Sequence, residues 1–110
     1  MSVEDLDVVD FVSLSPDGHC LLTVSDHLDW QCSVDHQTKL QNKLYRYLDF
    51  LESGELFERY SEARGRKLII EVRFFHVPDD DGLKFLSLIK ETIQTAGFGF
   101  EYKFMSSAVN

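Results

Sequence analysis

The side chains best able to do chemistry in this chain are concentrated in Ser25, Asp26, His27, Leu28, Asp29 and Trp30, with Cys32 and His36 close behind. These residues include two carboxylates, two imidazoles, a thiol and the only tryptophan of the sequence. An imidazole changes charge near neutral pH, so a histidine beside a carboxylate can take up or deliver a proton. The same groups, once deprotonated, are ligands for divalent metals. Two kinds of chemistry follow: general acid and base work by Asp26, His27, His36 and His76, or a metal held by His27, Asp29 and His76.

For His76 to join the others, the chain must bring two strand ends together. A pattern of elements can be read that does so. Val8 to Leu14 alternates as a strand, with Val8, Val12 and Leu14 on one side. Ser15, Pro16, Asp17 and Gly18 form a turn, since proline presets the first corner and glycine tolerates the left-handed one. Cys20, Leu22 and Val24 then alternate with His19, Leu21, Thr23 and Ser25 as a second, antiparallel strand. Asp35 is the expected N-cap of a helix reaching to about Leu51. Its apolar stripe is Leu40, Leu44, Tyr47, Leu48 and Leu51, with Lys39, Lys43, Arg46 and Asp49 off it. Ser53 and Gly54 stop that helix, and Leu56, Phe57 and Tyr60 suit one further helical turn over an edge of the core.

Lys67 to Val77 is the clearest strand: Leu68, Ile70, Val72 and Phe74 point one way, Ile69, Glu71, Arg73 and Phe75 the other. Pro78 ends it. Asp79, Asp80 and Asp81 open a second helix, where carboxylates cap amides and oppose the positive end of the helix dipole. Leu86, Ile89 and Ile93 form its stripe, which Leu83, Phe85 and Leu88 widen. Phe98, Phe100, Tyr102 and Phe104 make one apolar face of a last strand. The order β-β-α-β-α-β, with right-handed crossovers, predicts an α+β two-layer sandwich: a single mixed four-stranded sheet with two helices on one face. In such sheets ligands favour the edge where parallel strands end, and here that edge would carry Asp26, His27 and His76.

A simpler reading of the same residues assigns them structural work. Asp26 and Asp29 shape a turn, Asp35 and Asp79 cap helices, Trp30 plugs the core, and the histidines are exposed polar residues. A zinc site from Cys20, His27, Cys32 and His36 is disfavoured, because closed sites bring ligands in tight pairs and only Cys32 and His36 have such spacing. Cys20 also stands roughly 17 Å up an extended strand from Ser25. Asp79, Asp80, Asp81 and Gly82 lack the later ligands of a calcium loop. The Phe98 to Phe104 aromatics share a face with strict alternation, which marks them as core, and Arg64, Arg66 and Lys67 read as a solvated turn.

Composition narrows the partners. The chain has 110 residues, 44% of them hydrophobic, which suits one domain spanning 1–110 that needs no cofactor to fold. A formal net charge of −8 opposes approach to nucleic acid or anionic lipid and suits a basic protein partner. No stretch reaches the roughly 18 apolar residues of a membrane span. The amino terminus, Met1 to Asp7, has neither the basic start nor the apolar run of a signal peptide. A cytoplasmic location is expected, with Cys20 and Cys32 as free thiols. The sheet face away from the helices would carry Ser13, Thr23, Glu71, Arg73, Glu101 and Lys103. Among them Leu21, Ile69, Phe75 and Met105 form an apolar patch suited to a homodimer interface.

Val9 to Ser13, Ser25 to Trp30, Ser53 to Glu55 and Gly65 to Lys67 together give the chain a pattern that resembles a family of small bacterial proteins of unknown function. The resemblance runs over nearly the whole chain. It implies a compact single-domain cytoplasmic protein and brings no activity with it. Two functional expectations therefore stand: a non-enzymatic interaction module, self-associating or binding a basic partner as small immunity proteins do, and a small metal-assisted or acid-base enzyme.

Overall fold

The computed structural model describes residues 11–105. The elements are β1 (Phe11–Leu14), β2 (Cys20–Asp26), α1 (Ser33–Glu52), α2 (Glu55–Arg59), β3 (Leu68–Phe74), α3 (Asp80–Thr95) and β4 (Gly99–Phe104), with a 3-10 turn at Ser61–Ala63 between α2 and β3. The strands form one sheet in the order β1-β2-β3-β4. β1 and β2 are antiparallel; β2, β3 and β4 are parallel to one another. The expected order of elements and the α+β class both hold.

Turn chemistry sets the boundaries. The Ser15 carbonyl accepts from Gly18, which sits at φ 85°, and Ser15 in turn donates to the His19 carbonyl. The basic run that follows the 3-10 turn is structural: Arg66 donates from Nη1 to the Gly18 carbonyl at 2.9 Å and from Nε to the Glu62 carbonyl at 2.7 Å. It ties the hairpin to the start of β3. Asp79 caps α3 as expected, accepting from the Gly82 amide at 2.8 Å.

The core lies between the sheet and the helices. Leu22, Val24, Ile70 and Val72 face Leu40, Leu44, Leu86 and Ile93, all of them buried. The expected stripe of α1 is fully buried, and Tyr47 donates from its hydroxyl to the Thr23 carbonyl.

Several expectations need correction. Val8 lies outside the described residues, and Leu14 is exposed. Helix α1 begins at Ser33, with Cys32 as an N-cap that makes no side-chain bond, so Asp35 sits in the first turn and does not cap it. β3 ends at Phe74, three residues before Val77. Lys43 is buried, its ammonium 5.5 Å from the Tyr47 ring centroid, where the aromatic face accommodates the charge. Leu83 and Leu88 are exposed, because the stripe of α3 is narrower than the apolar content of the helix suggests. Tyr102 and Phe104 are 39% and 46% exposed: only Phe100, nearest the start of β4, lies fully in the core.

The face away from the helices is less open than expected. Glu71 and Thr23 are buried there, and Glu71 holds Arg73 Nε at 3.0 Å and Lys103 Nζ at 3.3 Å. Of the apolar residues expected to form an interface, Ile69 is buried, Leu21 and Phe75 are half-buried, and Met105 is exposed. Ile69 lies over the bare backbone of Gly99, where a Cβ would come within 2.9 Å of its Cγ1.

Candidate functional site

At the end of β2 the chain turns into α1, and the turn is organised by Asp26. Its backbone carbonyl still accepts from Phe75, continuing the β2–β3 ladder. Its carboxylate leaves the sheet in two directions. Oδ1 accepts from the Leu28 amide at 3.0 Å, a local turn bond. Oδ2 lies 2.5 Å from His36 Nε2 in the first turn of α1. Asp29 repeats the local motif, its Oδ1 accepting from Gln31 at 3.2 Å.

His36 reaches this position because it continues the buried stripe of α1, one helical step of four before Leu40. It is 2% exposed and Asp26 is fully buried. The second ring nitrogen, Nδ1, lies 2.9 Å from the Asp29 carbonyl. A carbonyl only accepts, so Nδ1 carries a hydrogen. The contact between Nε2 and Oδ2 then shares one further proton, and the pair as a whole carries no net charge in either placement of it. That neutrality is what lets two ionisable groups sit in the core.

Trp30 closes the junction. Its ring stacks on His36 with centroids 3.7 Å apart and planes at 25°, and its Nε1 donates to the His76 carbonyl at 3.0 Å. The far edge of the indole lies against Gly82 at the start of α3, where a Cβ would meet Trp30 Cζ3 and Pro78 Cβ at 2.9 Å each. Ser33 donates to the capping Asp79 at 3.2 Å. One aromatic ring thus links the ends of β2 and β3 and the starts of α1 and α3.

The expected site residues are therefore placed as follows. Asp26 and His36 meet directly. Asp29 joins them through its backbone carbonyl, and His76 through its own carbonyl by way of Trp30. His27 does not touch that pair and stacks on Phe75, with centroids 4.1 Å apart and planes at 10°. His27, Asp29, Cys32, Asp35, His36 and Lys39 line an open cavity of 240 Å³ beside the junction. Among the described residues no three His, Cys, Asp or Glu side chains come together as a metal site.

This arrangement holds a strand end to a helix start. A general base needs a free lone pair within reach of its substrate, and both nitrogens of His36 are already engaged. The two thiols are free and differ in setting: Cys32 is exposed, whereas Cys20 is buried in β2. Burial pushes the Cys20 thiol above its ordinary pKa, the nearby Arg66 guanidinium pulls it partly back, and Glu62 adds to the rise. What the sequence did not reveal was the pairing of Asp26 with His36. The available signal was the spacing of His36 from Leu40, which puts the imidazole on the buried face.

Fold and junction together define a small α+β domain, three parallel strands and an antiparallel hairpin strand under helices on one face, with a neutral Asp–His pair buried where β2 passes into α1. No helix among the described residues is long and apolar enough to cross a membrane. The chain belongs to a family of unknown function, DUF6572, whose model matches residues 1–106. No curated protein and no solved structure shows significant similarity to it.

Proposed function

We propose that this protein is a non-enzymatic interaction module that acts by self-association, and that the contact is made at β4. The observation that carries this reading is the position of β4: it is one of the two edge strands of the sheet, and Tyr102 and Phe104 in it and Met105 directly after it are all exposed. Large apolar side chains on an outer strand are what a second polypeptide covers. Met105 belongs to the patch expected from sequence. Ile69, Leu21 and Phe75 contribute less, because other parts of the chain already cover them wholly or in part.

The engagement of Asp26 and His36 with each other supports the same reading, since it leaves them no free group to offer a substrate. The acid-base alternative rests on Asp26, His27, His36 and His76, of which Asp26 and His36 are engaged with each other, and a basic protein partner would have to be drawn by the charge of −8.

Sedimentation velocity over a rising concentration series tests the reading. The expected result is a sedimentation coefficient that climbs towards that of a dimer, and loss of that climb on Phe104→Asp. A single monomeric species at every concentration would overturn it.

A further inference from the structure

Resting on the reading of β4 as the contact, we propose that its partner is β4 of a second copy, paired antiparallel about a two-fold axis at Tyr102. The hydrogen-bonding direction of the strand comes first. Met105 donates its amide to the Phe74 carbonyl, so its backbone points towards β3. Backbone groups alternate in direction along a strand. Lys103, Glu101 and Gly99 therefore also point to β3, while the amides and carbonyls of Phe104, Tyr102 and Phe100 point outwards, to a side where no strand lies among the described residues. These three residues offer a ladder ready for another strand.

The side chains of β4 then fix the register. Phe100, Glu101, Tyr102, Lys103 and Phe104 are symmetric in type about Tyr102, with opposite charges at the two flanking positions. Antiparallel pairing centred there sets Tyr102 opposite Tyr102, Phe100 opposite Phe104, and Glu101 opposite Lys103, twice by symmetry. Tyr102 would form a hydrogen-bonded pair with its counterpart, as its outward amide and carbonyl require. Glu101 and Lys103 would fall at the closer, non-hydrogen-bonded position, where opposite charges attract best. Both side chains are exposed. A shift of the register by two residues would place Glu101 opposite Glu101 or Lys103 opposite Lys103, so the sequence selects this one alignment. The result is a single sheet running through both copies. Such a strand contact is small beside a standard interface of about 1,600 Å², which places it among weak, concentration-dependent associations.

The test is sedimentation equilibrium on the whole chain and two charge variants, with circular dichroism to confirm the fold of each. Glu101→Lys alone places like charges opposite each other twice and is expected to weaken association about tenfold. An equimolar mixture of Glu101→Lys with Lys103→Glu restores opposite charges at both positions and is expected to associate as the unaltered chain does. If Lys103→Glu fails to fold, because it also faces Glu71, Tyr102→Cys in a Cys32→Ser background replaces it. The two thiols would face each other at about 5.5 Å between Cα atoms and oxidise to a disulfide-linked dimer. Association untouched by Glu101→Lys, or no disulfide from Tyr102→Cys, would overturn the register while leaving self-association standing. Absence of any dimer of the unaltered chain would overturn both.

Discussion

His36 Nε2 lies 2.5 Å from Asp26 Oδ2, with both side chains buried, and this contact fastens the first turn of α1 to the last residue of β2. Removing one partner leaves the facing atom of the other, Asp26 Oδ2 or His36 Nε2, buried without its hydrogen bond. His36→Ala strands a carboxylate in the core and is expected to cost about 3 to 5 kcal/mol, a large part of the 5 to 15 kcal/mol typical of whole domains. Urea unfolding measures the loss. Replacing both residues, Asp26→Leu with His36→Leu, is expected to cost less than His36→Ala alone, because no ionisable group is then left buried without its partner and only the Leu28 amide and the Asp29 carbonyl lose a bond.

Gly82 carries no side chain because Trp30 and Pro78 occupy the space. A Cβ there would stand 2.9 Å from each and 3.1 Å from Asp79 Oδ1. Gly82→Ala is expected to destabilise by about 1 to 3 kcal/mol, the usual cost of overpacking. Since Trp30 is the only tryptophan, the emission spectrum of the folded variant reports the displacement directly. A spectrum and midpoint equal to those of the unaltered protein would contradict the packing described.

Asp79 satisfies the Gly82 amide and receives the Ser33 hydroxyl. Asp79→Ala removes an N-cap and is expected to cost about 1 kcal/mol, within the range for such caps. Ser33→Ala tests the smaller contribution. Thermal or urea midpoints check both.

The two thiols separate by burial. Cys32 is exposed and Cys20 is buried with its pKa raised. A raised pKa keeps Cys20 protonated to a higher pH than an ordinary thiol, and only the thiolate attacks. A colourimetric thiol reagent near neutral pH is expected to react promptly with one equivalent, mapped to Cys32, and with a second only on unfolding. Raising the pH through the ordinary range of cysteine ionisation should leave Cys20 unreactive.

The order of elements along the chain was legible because each carries its own periodicity, whereas the order of the strands across the sheet was not. Leu68, Ile70, Val72 and Phe74 alternate; Leu40, Leu44, Tyr47, Leu48 and Leu51 recur at three and four; and Pro16, Gly18, Gly54, Pro78 and Gly97 punctuate them. What the pattern did not show depends on tertiary neighbours. Lys43 reads as a surface residue until Tyr47 lies beneath its ammonium. Tyr102 and Phe104 read as core because they share a face with Phe100, but whether a strand face is covered depends on what packs over it. The candidate site was legible as a cluster and not as a geometry. Asp26 and His36 are ten residues apart in sequence, and only the turn between β2 and α1 brings them into contact, while His27, next to Asp26, stacks on Phe75.

Self-association as proposed makes β4 the surface that meets a second copy. Hydrogen exchange read amide by amide, on dilute and concentrated samples, tests this directly. The amides of Phe100, Tyr102 and Phe104 are expected to exchange fast when dilute and to slow as concentration rises, while those of β3 stay protected throughout. Rates for these three amides that do not change with concentration would contradict it.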